Sequence, residues 1–391
     1  MTRAASCYRP VVPAGARAVV AGAFGARHGT GDATLSVFGA PGFDDHELVV
    51  FGRDSASGLK AIVAIHDTTL GPALGGCRMW PYASEDEALA DVLRLSRAMT
   101  YKHALADTGQ GGGKAVVIGD SKTDKTPALM RALGRLVDTL GGRYITAEDV
   151  GTSVADMDEV RRATRHVAGY SEGGSGDPSP VTAYGVVRGI GAAVRHKLGR
   201  VDLGGLEVAV QGVGHVGYAL CGYLSEAGAR LFVSDIDDGA LRRALEAYSA
   251  VAAAPDEIHG LDVDVFAPCA LGGALNDATI PRIRASIVAG AANNQLAGAG
   301  HGRDLAERGI LYAPDYVINA GGVINISLAN DYDRDRAMRK AEKIYDTLAQ
   351  IFRRADADGL PTDQVADRMA RERIAAARTK AAAAKTAAKT G

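Results

Sequence analysis

Residues 206–237, LEVAVQGVGHVGYALCGYLSEAGARLFVSDID, decide the fold. Glu207 to Gln211 form a short, largely apolar run that reads as a strand. Gly212, Gly214 and Gly217 follow as G-x-G-x-x-G, with Val213, His215 and Val216 between them. A helical stretch comes next, then a second strand ending at Asp235. The glycines allow, in turn, a tight turn, backbone approach to a pyrophosphate, and close helix–strand contact. The N-terminus of the helix offers unpaired N–H groups to the phosphates. Asp235 stands where an acid about 20 residues on hydrogen-bonds the ribose hydroxyls of NAD, and it would repel a 2′-phosphate. The unit predicts a Rossmann-type doubly wound dinucleotide-binding domain that takes NAD rather than NADP. A plain strand–turn–helix is the alternative, and the second strand with its acid argues against it.

The rest of the 391 residues is α/β in pattern, and the length suggests two domains. A net charge of −2 gives no global field toward nucleic acid or an anionic membrane. No apolar run approaches the roughly 20 residues that span a bilayer. Cys7, Cys77, Cys221 and Cys269 form no C-x-x-C pair, and no H-E-x-x-H occurs, so no metal site is expected. Widely spaced single cysteines read as reduced thiols of a cytoplasmic protein.

Upstream, strand and helix signals alternate. Ser84 and Glu87 form a capping box, and Leu89, Val92, Leu93 and Ser96 then line one helical face. GGGKAVVIGD (111–120) reads as a strand. A helix follows, with Thr126 as N-cap, Pro127 in its first turn and Gly141 at its exit. RYITAEDVG (143–151) is a strand ending in acids. A glycine-rich break near 171–180 reads as a hinge, with a helix starting near Val181. The expected division is a flexible extension over 1–34, a substrate and oligomerisation domain over 35–170 and the dinucleotide domain over 171–327. C-terminal helices over 328–375 return to the first domain, and an Ala/Lys tail over 376–391 has nothing to bury. Residues 1–31 carry no acid, a composition shared with targeting peptides, but without a secretory apolar core they read as an extension.

Lys114 stands between Gly111–Gly113 and an apolar run, and Lys102 lies twelve residues before it in MTYK (99–102). Two lysines at a cleft mouth depress each other's pKa, and burial adds to that. One can then serve as a general base, while one that stays charged can hold a carboxylate. Two solvated lysines are the alternative. The glycines weigh against it, because Gly111–Gly113, and Gly75–Gly76 in LGPALGGCRMWPY (70–82), leave bare backbone for a substrate to approach. Asp149 ends its strand and is either the cap of the next helix or a free acid. Thr152 or Ser153 can do the capping.

These residues together resemble the Glu/Leu/Phe/Val amino-acid dehydrogenases, from about residue 45 to about residue 375. The likeness is carried by LGPALGGCRMWPY, MTYK, GGGKAVVIGD, GGRYITAEDVGTSVADMD, GDPSPVTAYGV, FAPCALGG, AGAANNQL and LYAPDYVINAGGVIN. It is strongest to members acting on leucine, then valine. The resemblance implies reversible, NAD-dependent oxidative deamination of an L-amino acid in a cleft between two domains, by a homo-oligomer. It implies Lys114 as the catalytic lysine, Asp149 as its partner in proton transfer, and Lys102 and Asn293 as holders of the substrate carboxylate. Thr182 would hold the nicotinamide amide.

Where family members acting on glutamate bind its distal carboxylate, this chain places Leu74 and Ile326, which cannot bind a charge. Ala147 and Val323 match further pocket walls, so an apolar side chain such as Leu, Val or Ile is expected. One methylene is worth only ~1–3 kcal/mol of discrimination. Asp107 and Gln110 before the glycines, and His215 in the nucleotide loop, depart from the family's usual residues. Competing readings are a phenylalanine or tryptophan dehydrogenase, a 2-hydroxy-acid dehydrogenase, and a non-catalytic NAD-binding protein. The second needs a His–acid pair and an Arg where this chain offers lysines. The third fits poorly with an intact Lys102, Lys114 and Asp149.

Overall fold

Two sheets, the first mixed and the second all parallel, each with its own helices, hold the site between them. The computed structural model describes residues 36–171, 176–329 and 332–390. The N-terminal extension and residues 172–175 of the glycine-rich break lie outside the described residues.

The first lobe runs β1 (Leu48–Asp54), β2 (Leu59–Asp67), β3 (Ala73–Trp80), α1 (Glu85–Ala106), β4 (Gly111–Ile118), α2 (Pro127–Asp138), β5 (Tyr144–Glu148) and α3 (Val154–Arg161). Its sheet has the order β1-β2-β4-β3-β5. β1, β2 and β4 pair antiparallel, whereas β4, β3 and β5 run parallel. The apolar run AVVI puts β4 in the middle of the sheet, where Ala115, Val116 and Val117 are fully buried.

Local chemistry sets the helix ends. Ser84 accepts from the Glu87 N–H, but the Glu87 carboxylate answers to the Ala83 N–H rather than closing the box on Ser84. Thr126 caps α2, whose Leu129, Leu133 and Val137 are buried, with Leu136 and Leu140 at the margin. Ser153 caps α3 in a capping box with Asp156, which leaves the Asp149 side chain free of capping.

The second lobe opens with α4 (Ser179–Leu198), two residues before the expected start. Then come β6 (Glu207–Gln211), α5 (His215–Glu226), β7 (Arg230–Ser234), α6 (Asp238–Tyr248), β8 (Val251–Ala252), β9 (Val265–Pro268), β10 (Ile287–Val288), α7 (His301–Glu307) and β11 (Leu311–Tyr312). The order is β11-β10-β9-β6-β7-β8, all parallel. Counted from β6 this is 3-2-1-4-5-6 read backwards, the doubly wound arrangement. Its switch point lies between β6 and β9, where dinucleotides bind.

Short helices α8 (Asp315–Ile318) and α9 (Gly321–Ser327) lead to α10 (Arg334–Glu342), α11 (Ile344–Asp358) and α12 (Thr362–Thr390). α11 packs on α4, and α12 packs on α1. Arg373 donates to the Ala104 and Leu105 carbonyls at the end of α1, and Arg378 pairs with Asp67. α12 continues through the Ala/Lys segment. Past Ile374 the described side chains are mostly exposed, in keeping with a stretch that offers little to bury.

The glycine triplet of β4 calls for a correction. Neither it nor Gly75–Gly76 leaves backbone bare for a substrate, since a Cβ on Gly75 would collide with the Gly113 carbonyl and one on Gly76 with the Glu148 carbonyl. A Cβ on Gly112 would collide with Thr100 of α1, and one on Gly113 would meet the Tyr144 ring at 2.8 Å. The glycines are filled by protein and let α1 lie directly on the strand. Gly112→Ala is therefore expected to destabilise the fold by about 1–3 kcal/mol or more. It should lower the denaturant midpoint at an unchanged slope; an unshifted midpoint would contradict this packing.

Candidate active site

Close packing of α1 on β4 brings Lys102, near the end of the helix, and Lys114, in the fourth position of the strand, to one cavity. Its volume is about 210 Å³. Leu74, Gly75, Gly76, Lys102, Lys114, Ala147, Asp149, Asn293, Val323 and Ile326, all singled out in the sequence, line it. Thr182 does not. It is buried at the start of α4, where its hydroxyl donates to the Pro178 carbonyl (2.9 Å) and lies beside Gly322.

The centre of the cavity is an ion pair. Lys114 Nζ lies 2.8 Å from Asp149 Oδ2, and Lys114 is only 5% exposed. Burial alone would raise the Asp149 carboxyl; the Lys114 ammonium and the Arg78 guanidinium outweigh it and hold the group below its usual range. Thr152 fixes the backbone beneath, accepting from the Asp149 N–H (2.9 Å) and approaching the Cys77 carbonyl (2.9 Å).

Lys102 is driven down to about 8, chiefly by burial; nearby Asp315 opposes this and Lys114 adds to it. Its Nζ stands 3.4 Å from Asn293 Oδ1, which also accepts from Asn319 Nδ2 at 2.8 Å. Two donors on that oxygen leave the Asn293 amide nitrogen to donate into the cavity. At the other end the walls turn apolar. Leu74, Ala147, Ala168 and Ala329 cluster there with Ile145 and Ile326.

Sequence reasoning missed Arg78, Asp315 and Asn319. Arg78 sat in a quoted motif, GGCRMW, but its contact with Asp149 spans 71 positions. Neither Asp107 nor Gln110 lines this cavity. Asp107 instead ends α1 in the left-handed region (φ 50°), its N–H returning to the His103 carbonyl.

The nucleotide loop fits the group it was read for. Gly212 has φ 93°, and a Cβ there would crowd Ala270 at 2.8 Å. One on Gly217 would collide with the Gly212 carbonyl, while Gly214 faces open space where a phosphate can approach. Val213 is buried, Val216 is half-buried and His215 is exposed at the first turn of α5. Asp235 Oδ2 accepts from the Val213 N–H (2.7 Å), which joins the acid to the loop. Ala270, against Gly212, also lines an open cleft between the lobes of about 800 Å³ that reaches Arg78 and Asp149. This cleft and the lysine cavity share Arg78, Asp149, Asn293 and Asn294 in their walls.

A doubly wound nucleotide lobe facing a cavity with a lysine–aspartate pair defines a two-lobed dinucleotide-dependent dehydrogenase. Comparison with known proteins narrows the class. Residues 47–166 match the family described as "Glu/Leu/Phe/Val dehydrogenase, dimerisation domain", and residues 173–389 match "Glutamate/Leucine/Phenylalanine/Valine dehydrogenase". The chain belongs to this family of amino-acid dehydrogenases. It is 56% identical to leucine dehydrogenase of Geobacillus stearothermophilus over 333 residues, covering 84% of this chain and 91% of that protein. It is 52% identical to valine dehydrogenase of Streptomyces coelicolor over 339 residues, 85% of this chain and 93% of that one. The crystal structure of L-tryptophan dehydrogenase from Nostoc punctiforme superposes with a TM-score of 0.77 at 47% identity, covering 85% of this chain and 97% of that chain.

The Lys102 shift has a testable sign. The ammonium is charged below about 8 and neutral above, so its attraction for a carboxylate is present at lower pH and lost as pH rises. A non-reacting acid such as 4-methylpentanoate should compete with the amino acid less well at each step above pH 8, and Lys102→Gln should flatten the profile. An inhibition constant unchanged between pH 7 and 9.5 would contradict this.

Proposed function

We propose that this chain catalyses the reversible oxidative deamination of branched-chain L-amino acids, leucine foremost and valine and isoleucine with it, to the 2-oxo acid and ammonia, with NAD. The observation that carries the reading is the Lys114–Asp149 pair in a cavity charged at one end and apolar at the other. The relatives named for leucine and valine dehydrogenation support the substrate class.

The substrate carboxylate lies against Lys102 and the Asn293 amide. Its side chain fills the space among Leu74, Ala147, Val323 and Ile326, whose apolar walls cannot compensate a glutamate carboxylate. Gly75 and Gly76 border the bound substrate. NAD, held by the second lobe, would supply the hydride acceptor for Cα, so that the amine carbon becomes an iminium open to water. Asp149, ionised and 2.8 Å from Lys114, takes a proton from the substrate ammonium before the hydride leaves and returns it to the departing amine, while Lys114, in its uncharged form, takes the proton from the attacking water. Thr182 keeps lone pairs free to accept from a nicotinamide amide. Gly212, Gly214 and Gly217, with Val213, His215 and Val216 between them, would hold the pyrophosphate, and Asp235 would favour NAD over NADP. Closing the lobes excludes water from the reacting pair.

Homo-oligomerisation is supported by the dimerisation domain matched over 47–166, and a cytoplasmic setting by Cys77, Cys221 and Cys269, which are unpaired among the described residues. Among the described residues no helix is long and apolar enough to cross a membrane. The division into 35–170, 171–327 and 328–375 is supported by the grouping of strands into two sheets.

An NADH-linked screen of the proteinogenic L-amino acids tests the reading. Leucine, valine and isoleucine should turn over, with glutamate far behind and NADP a poor substitute for NAD. Lys114→Ala should retain NAD binding and lose about 100-fold or more in rate. Turnover of leucine by that variant near the parent rate would remove Lys114 from its role.

A further inference from the structure

A run of polar contacts along the cleft joins the second lobe to the reacting pair. It begins at Asn294, next to Asn293, held at φ 52°. Arg94 of α1 donates through Nη1 to Asn294 Oδ1 (3.3 Å) and through Nη2 to Asp91 Oδ1 (2.6 Å). The other oxygen of Asp91 accepts from the Tyr82 hydroxyl (2.7 Å) and from Arg78 Nη1 (3.0 Å). Arg78 Nε donates to Asp149 Oδ2 (3.2 Å), the oxygen that also receives Lys114. Every link has at least one charged partner, and the first, from Arg94 to Asn294, crosses between the lobes.

The geometry of a guanidinium makes this run mechanical. Its donors lie in one rigid plane, so Arg78 cannot turn toward Asp91 without turning away from Asp149. The Arg78 and Asp91 side chains are 18% and 14% exposed, so their contact is little screened. Arg94 is 47% exposed, so the interlobe end is the weak one.

We propose that Arg78 is a positioning residue for the reaction, holding Asp149 against Lys114, and that Asp91, Arg94 and Asn294 make this hold depend on closure of the lobes. The inference rests on the roles assigned above to Lys114 and Asp149. With the lobes together, Asn294 fixes Arg94, Arg94 satisfies one oxygen of Asp91, and Arg78 stays aligned on Asp149. With the lobes apart, Arg94 is released to solvent, and Asp91, short of a donor, draws the Arg78 fork toward itself. The reacting pair is then aligned only when the cleft is shut against water.

The charged groups around Asp149 are Lys114 from β4, Arg78 from β3, its neighbour Glu148 and, further off, Lys102 from α1. Loss of Arg78 removes a positive charge that favours the carboxylate, so the acid limb of kcat/KM should move to higher pH.

The test uses the full chain with L-leucine and NAD. Arg78→Gln should lower kcat by about 100-fold, as a misplaced reacting group does, with little change in KM and with the acid limb moved up. Arg78→Lys should return the acid limb toward its parental position while kcat stays low, because an ammonium supplies the charge but not the fork. Arg94→Gln should lower kcat several-fold, leave the KM for NAD unchanged and move the acid limb up by less than Arg78→Gln does. Arg78→Gln with parental kcat and acid limb overturns the positioning role, and Arg94→Gln with parental kcat overturns the coupling to closure. If Arg78→Gln does not fold, Arg78→Lys and Arg94→Gln decide the matter, parental kcat in both overturning the proposal. Asp149→Asn separates the two levels. Near-parental activity there sinks the assignment of the reacting pair itself, whereas its inactivity alongside unaffected Arg78 and Arg94 variants sinks only this inference.

Discussion

Lys114 and Asp149 place opposite charges 2.8 Å apart where the lysine has almost no contact with water. Taking two charges out of solvent costs several kcal/mol per ion, and only good geometry with further hydrogen bonds offsets that cost. The surrounding structure supplies them. Arg78 adds a second cation to the same carboxylate oxygen, and Thr152 ties the Asp149 backbone to β3. Gly112 and Gly113 let α1 and Tyr144 close over the strand and shut water out from either side. The lysine follows three glycines because the strand must be thin there for protein, not substrate, to pack against it.

That packing also organises the cavity by charge. α1 delivers Lys102 to the polar end, where Asn319 and Lys102 together orient Asn293. The opposite end is closed by Leu74, Ala147, Ala168 and Ala329, which offer a charged side chain nothing. The nucleotide lobe contributes from the other side through Asn293, Val323 and Ile326, so the cavity is whole only when both lobes are present.

Much of this was legible in the sequence because it rests on local pattern. The β6–α5–β7 unit is written in strand period, glycine spacing and one acid, and the observed strand order agrees with it. Of the ten cavity residues named, Lys102, Lys114, Asp149, Gly75 and Gly76 came from their own neighbourhoods, and Leu74, Ala147, Asn293, Val323 and Ile326 from the family resemblance. What escaped was non-local. The contacts Arg78–Asp149 and Arg94–Asn294 join residues 71 and 200 positions apart, and nothing in either neighbourhood announces the other. The glycines of β4 were misjudged for the same reason, since only the fold shows that Thr100 and Tyr144 occupy the space they leave. Thr182 was named for a cofactor group, and its place beside Gly322, outside the cavity, depends on a turn that sequence alone does not set.

The central claim is that Lys114 and Asp149 act as one unit. A double-mutant cycle on kcat/KM for L-leucine tests it most directly, using Lys114→Ala, Asp149→Ala and the two combined. Residues that work as a unit are strongly non-additive, so the double variant should be little worse than the poorer single one. If the two losses simply multiply, the residues act independently and the account of a shared proton-transferring pair is wrong.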